Sequence, residues 1–198
     1  MTLPAWVQAN EDKPAPGSLL LVQAFVNTVE RSERTDLLTE TDAGNEWLRQ
    51  SGLLGPDATA TARDLLAARE VRESIRALIA RNAHGPELSP GELAPLRALT
   101  RTARLRLAVN PAGSVALDPG SGGTLTDGLA RLLLIIRDAQ HDGTWHRLKT
   151  CANDECQWAF YDRSHSRRGT WCDMAACGNI IKNRNLRARR SARTHPAT

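Results

Sequence analysis

Residues 151–179 read CANDECQWAFYDRSHSRRGTWCDMAACGN and hold all four cysteines of the 198-residue chain, as Cys151-x4-Cys156 and Cys172-x4-Cys177 with fifteen residues between the pairs. Two close pairs flanking a loop suit a structural zinc site, in which each pair turns around the metal and four thiolates complete a tetrahedron. A sulfur-only set leaves no position open for water or substrate, so the expectation is one structural zinc on Cys151, Cys156, Cys172 and Cys177. Trp158, Phe160, Tyr161 and Trp171 lie between the pairs, half of the chain's eight aromatics, in a stretch too short to build a core of its own. Trp158 and Trp171 read as packing around the metal.

Two disulfides would use the same four residues, and four unrelated buried thiols are a third reading. The first nineteen residues contain Pro4, Glu11, Asp12, Lys13, Pro14 and Pro16 and no apolar run of the secretory kind. A reducing cytosol is therefore expected, which disfavours disulfides. His146 and His165 are near enough in sequence to replace a cysteine, although turn or surface positions are their plainer reading.

From the first pair onward the pattern is Cys151-x4-Cys156-x-Trp158-x-Phe160-x-Asp162-x-Ser164, then Arg168, Trp171-Cys172-x-Met174 and Cys177-Gly178-Asn179, with Lys182 and an arginine-rich tail behind it. This resembles the CGNR-type zinc finger. Upstream, Phe25-Val26-Asn27-Thr28, Asp36-Leu37 and Trp47-Leu48 resemble the ABATE domain, which usually precedes that finger in proteins described as stress-induced transcription regulators. The two resemblances together span nearly the whole chain. They imply a stress-responsive transcription regulator with a sensing or dimerising N-terminal part. Ile180 stands where the finger's signature has arginine, which removes one expected cation, and Ala24 stands where an acidic residue commonly precedes the Phe-Val-Asn-Thr run.

The net charge of +4 hides an asymmetry: residues 1–144 carry 15 basic and 18 acidic side chains, and residues 145–198 carry 11 and 4. A basic module joined to a mildly acidic one is the pattern of a protein that turns one part toward polyanions. The longest apolar run, Leu132 to Ile136, is far too short for a bilayer, so no membrane segment is expected. Only Lys13, Lys149 and Lys182 among the 26 cations are lysines, a bias that suggests a GC-rich bacterial source.

The fold class expected is mainly α with a small β-hairpin, in two parts: an ABATE-like helical domain over 1–144 and the finger over 145–198. Residues 18–30 predict a buried first helix, interrupted by a polar stretch. A short helix follows at 43–52, then a long one from a cap at Asp57 to about Asn82, with Leu65, Ala68, Val71, Ile75 and Ile79 on one face. Ser89-Pro90-Gly91-Glu92 is a capping box that starts a helix to about Leu99. Period-two alternation at Arg104–Leu107, a turn at Asn110–Gly113 and Ser114–Leu117 predict a hairpin, and a helix runs from about Thr126 to Gln140. In the finger, 145–150 is expected as a strand, the first cysteine pair as a turn, 157–162 as a strand with 169–172 pairing back on it, and the second pair at the start of a C-terminal basic helix. That order is treble-clef-like.

The leading functional reading is a zinc-dependent DNA-binding transcription regulator, possible as a homodimer, cytoplasmic and associated with the nucleoid. Lys182, Arg184, Arg187, Arg189, Arg190 and Arg193 are the expected polyanion contacts, with Arg163, Arg167 and Arg168 as additions. The alternative is a zinc-stabilised module for RNA or an acidic protein. No P-loop, G-x-S-x-G or G-x-G-x-x-G occurs, and His84 and His141 are isolated, so no enzymatic activity is expected. A small-molecule effector would bind the N-terminal part, with Phe25, Asn27, Thr28 and Trp47 as candidates; core and helix-end roles are their plainer reading.

Overall fold

In the computed structural model, residues 2–83, 85–118, 123–184 and 187 are described. Among these residues the chain is mainly helical, with three two-stranded antiparallel pairs. Helix α1 (Leu19–Val26) is apolar around nearly its whole circumference and every residue in it is buried. A helix with no polar face belongs at the centre of a fold, and α1 accordingly packs against α3 (Ala62–Ala80), α5 (Leu125–His141) and the strand β6 (Ala159–Tyr161). The polar stretch after it, expected only to interrupt the helix, forms a small pair, β1 (Val29–Glu30) with β2 (Thr35–Asp36).

Helix α2 (Thr41–Gln50) sends Trp47 and Leu48 inward. Helix α3 starts at Ala62 rather than at Asp57: Thr61 Oγ1 accepts from Asp64 N and the Asp64 carboxylate accepts from Thr61 N, a reciprocal cap four residues beyond the expected one. Helix α4 (Pro90–Thr102) begins with the Ser89–Glu92 box as expected and runs one turn past Leu99. Strands β3 (Arg106–Val109) and β4 (Val115–Asp118) form the expected hairpin, with Leu107 opposite Leu117 and Val109 opposite Val115. Helix α5 is capped by Thr124 and closes against the 53–54 backbone at Gly128, where any side chain would overlap the Leu53 carbonyl.

After α5, residues Trp145–Arg147 make a 3-10 turn rather than the expected strand, and β5 (Leu148–Thr150) follows. β5 pairs with β6, Leu148 opposite Tyr161 and Thr150 opposite Ala159, so residues 169–172 are not the partner of β6. Trp145, Leu148, Ala159 and Tyr161 share one core with α1, α3 and α5. A smaller cluster of Cys151, Trp158 and Cys177, flanked by Cys156, Trp171 and Cys172, lies next to it.

Candidate metal centre and nucleic-acid interface

The first cysteine pair is a tight turn. Asn153 O accepts from Cys156 N at 2.8 Å and Gln157 N at 2.9 Å, Gln157 takes the left-handed conformation at φ 50, and Cys151 N closes the turn on Trp158 O. The second pair is shaped by Asp173, whose side chain accepts from Ala176 N and whose carbonyl accepts from Gly178 N. The turn Met174–Gly178 is wound as a π-helix, and helical backbone continues over 179–184. Met174 Sδ packs directly over Gly178, where a Cβ would have to displace it.

These turns bring one sulfur from each of Cys151, Cys156, Cys172 and Cys177 within 4.8 Å of the others. Zinc–sulfur bonds of about 2.3 Å define a tetrahedron with edges of about 3.8 Å. The Cys156–Cys172 and Cys172–Cys177 sulfurs are 3.7 and 3.8 Å apart. The donor chemistry agrees. Thiols of Cys156 and Cys172 donate to Cys151 and hold its pKa down to about 2, while donation to that charge pushes Cys156 up to about 12 and raises Cys172 as well. A negative charge on Cys151 thus disfavours a second one on Cys156 or Cys172, and a dication at the centre is what allows them to ionise together. Zinc bound here supplies cross-linking rather than an open coordination position. Asn153 Nδ2 donates to Cys177 Sγ at 3.7 Å, a contact that orients the ligand from outside the set. Neither His146 nor His165 belongs to the cluster.

Polar side chains from the helices hold the finger's first hairpin. Asn27 Oδ1 accepts from Ala159 N and its Nδ2 donates to Ala159 O, Gln23 Nε2 donates to the same carbonyl, and Asn82 Nδ2 donates to Trp145 O and Leu148 O. Arg76, 4% exposed, donates to Val26 O and Gln157 O at 2.6 Å each while its Nε reaches Glu73, so it bridges α1 to the zinc turn. Burial lowers the Arg76 pKa to about 10, which leaves it charged at neutral pH. The segment 10–15 crosses the same junction: Lys13 O accepts from Tyr161 N, and Lys13 Nζ donates to Trp171 O and lies 5.1 Å from the Phe160 ring centre. None of these ties was anticipated from the sequence. The available signal was Gln23, a polar residue inside an otherwise apolar helix.

Of the expected polyanion contacts, Lys182, Arg184 and Arg187 are exposed at the C-terminal helix and Arg163, Arg167 and Arg168 are exposed in the loop between the cysteine pairs. Arg189, Arg190 and Arg193 lie outside the described residues. Phe25, Asn27, Thr28 and Trp47 are all buried. Phe25 and Trp47 pack ring against ring at 6.2 Å, Trp47 Nε1 donates to Trp6 O, and Thr28 Oγ1 donates to Phe25 O and accepts from Arg72. These four therefore serve the core and the junction. A cleft of about 1200 Å³ opens elsewhere, between α3, α4 and the first zinc turn, with Arg69, Arg76, Ala98, Cys151 and Gln157 among its walls.

Residues 147–190 match the family described as "CGNR zinc finger", and residues 20–147 match ABATE, described as "Putative stress-induced transcription regulator". A comparison with curated proteins gives no match. Among the described residues no helix is long and apolar enough to cross a membrane.

Proposed function

This chain belongs to the ABATE family and carries a CGNR zinc finger, and from that premise we propose that it is a zinc-dependent, DNA-binding transcription regulator. The observation that carries the proposal is where the positive charge lies. Arg163, Arg167 and Arg168 in the loop before the second cysteine pair and Lys182, Arg184 and Arg187 after it are all exposed, in a segment 145–198 that holds 11 cations and 4 acids. Guanidinium forks suit phosphates and guanine edges alike. In this reading, the turn, hairpin and helix around the zinc make a treble-clef-like reader whose basic helix faces the duplex, and no catalytic step is assigned to the chain.

The helical part over 1–144 acts in this proposal as sensor or dimerisation unit. The cleft beside α3 supports a small-molecule effector, because one wall is the zinc turn itself and Arg76 ties that turn to α1 and α3. A ligand there would shift affinity only through contacts that differ between two states.

The test is a fluorescence titration of labelled duplex with zinc-loaded full-length protein, in competition with unlabelled duplex, single-stranded RNA or poly-glutamate. Displacement by duplex at lower concentration than by the other two is expected. Equal or stronger displacement by poly-glutamate or RNA would favour the alternative, a zinc-stabilised module for an acidic protein or for RNA.

A further inference from the structure

The loop from Asp162 to Gly169 is built around a buried ion pair. Lys149 and Asp162 are 5% and 4% exposed. Lys149 Nζ donates to Asp162 Oδ2 at 2.8 Å, to Arg167 O at 2.5 Å and to Gly169 O at 3.3 Å, so all three of its protons are used. The Asp162 carboxylate also accepts from Ser164 N at 3.0 Å and Gly169 N at 2.7 Å. Burial works to raise its pKa, but these donors prevail and hold it far below the usual carboxylate range. Arg147 Nη1 reaches the carbonyls of Asp162 and Ser164 at 3.1 Å each. At Gly169 a Cβ would come within 2.8 Å of the carboxyl carbon of Asp162, so glycine is needed for the loop to close on the pair.

A fully hydrogen-bonded buried pair adds little net stability over an apolar filling and is better suited to fixing one geometry. What it fixes here is an outward display of cations. Arg167 is held left-handed at φ 52 with its carbonyl on Lys149. Arg163, Arg167 and Arg168 are exposed, and 163–168 contains no acid. Arg163 donates to Pro14 O, whereas the guanidinium groups of Arg167 and Arg168 make no hydrogen bond or ion pair among the described residues. Fixing the backbone that carries these side chains reduces the entropy lost on binding.

We propose that Lys149 and Asp162 are positioning residues for a phosphate contact made by Arg167 and Arg168, a contact held by the ion pair rather than by a zinc ligand. This rests on the reading of the chain as a nucleic-acid binder. Lys149 touches no phosphate; it acts through the loop.

The experiment measures affinity for one duplex against salt, using zinc-loaded full-length protein. Arg167→Gln/Arg168→Gln should flatten the log-log slope by about 1.8, the effect of two phosphates. Lys149→Met/Asp162→Asn, still carrying one zinc and melting cooperatively, should weaken binding at 0.1 M salt about tenfold through lost order in the loop. Combining the two pairs should then weaken binding hardly further than either alone. A purely structural role would not give that non-additivity. If Lys149→Met/Asp162→Asn does not fold, Gly169→Ala, which forces the loop off Asp162, replaces it with the same expectation. Wild-type binding with a slope untouched by the arginine pair would overturn the loop contact, and losses that multiply would overturn the positioning role. Absence of wild-type binding at low salt would instead overturn the nucleic-acid reading, and the loop contact with it.

Discussion

Asn27 pairs with Ala159 as a strand would: its side-chain oxygen accepts from Ala159 N at 2.8 Å and its side-chain nitrogen donates to Ala159 O at 2.9 Å. Asn27 is the residue after α1, and β6 leads out of the first zinc turn. One amide therefore joins the central helix to the finger. Asn27→Ala leaves a buried N–H without its acceptor and removes a partner of Glu11, so a loss of about 2–4 kcal/mol is expected, measured by urea unfolding of the metal-loaded protein. A loss below about 0.5 kcal/mol, the range of an ordinary surface change, would show that the pairing does not hold the parts together.

Arg76 makes the second tie. Arg76→Met leaves the buried carbonyls of Val26 and Gln157 without their donor, while the half-exposed Glu73 keeps Arg31 and Arg72, so a loss of about 2–4 kcal/mol from the two carbonyls is expected. Because Gln157 belongs to the zinc turn, zinc affinity should fall along with stability. Competition with a metal indicator checks it; unchanged zinc affinity would separate the tie from the metal site.

Metal removal should be felt unevenly. Residues 151–157 and 171–184 owe their shape to the cysteine cluster, whereas β5 and β6 are packed into the helical core. Amide exchange after chelation is expected to rise in the first set and to change little at Leu148, Phe160 and Tyr161. Exchange rising equally across β5 and β6 would mean that the metal folds the hairpin too.

Glu11 gives a pH signature. Burial pushes its carboxyl up to about 6 in spite of donors from Lys13 N and Asn27. An acid with a folded pKa above its unfolded 4.5 binds more protons when folded, so stability falls as pH rises through that window and the penalty is complete above pH 6. The magnitude is on the order of 2 kcal/mol. Compared with Glu11→Gln, the metal-loaded wild type should gain about that much on going from pH 7 to pH 4.5. Parallel profiles for the two proteins would contradict this.

Local signals in the sequence were legible. Ser89 and Glu92 announced α4, Asn110 and Gly113 the hairpin turn, the apolar repeat α3 and α5, and two cysteine pairs the metal cluster. Thr61 with Asp64 is an equally local box, and it rather than Asp57 caps α3. What could not be read was long-range. The partner of β6 is decided by packing on α1, not by residues 169–172, and the strap at 10–15 has no periodicity to reveal it. Asn27 lay in the recognised Phe-Val-Asn-Thr run, yet its bond to Ala159, 132 residues away, depends on the finished fold. Asp162 stands in the quoted finger motif, yet its pairing with Lys149 likewise depends on the finished fold.

The central claim is that the zinc-shaped segment reads DNA, and selection of bound sequences from a random duplex pool, with the protein zinc-loaded and chelated, tests it most directly. The account predicts enrichment of a defined motif with zinc and its loss on chelation, although residual salt-sensitive binding through Arg167 and Arg168 can persist. Enrichment of the same motif without metal, or no enrichment and no binding with it, would contradict the account.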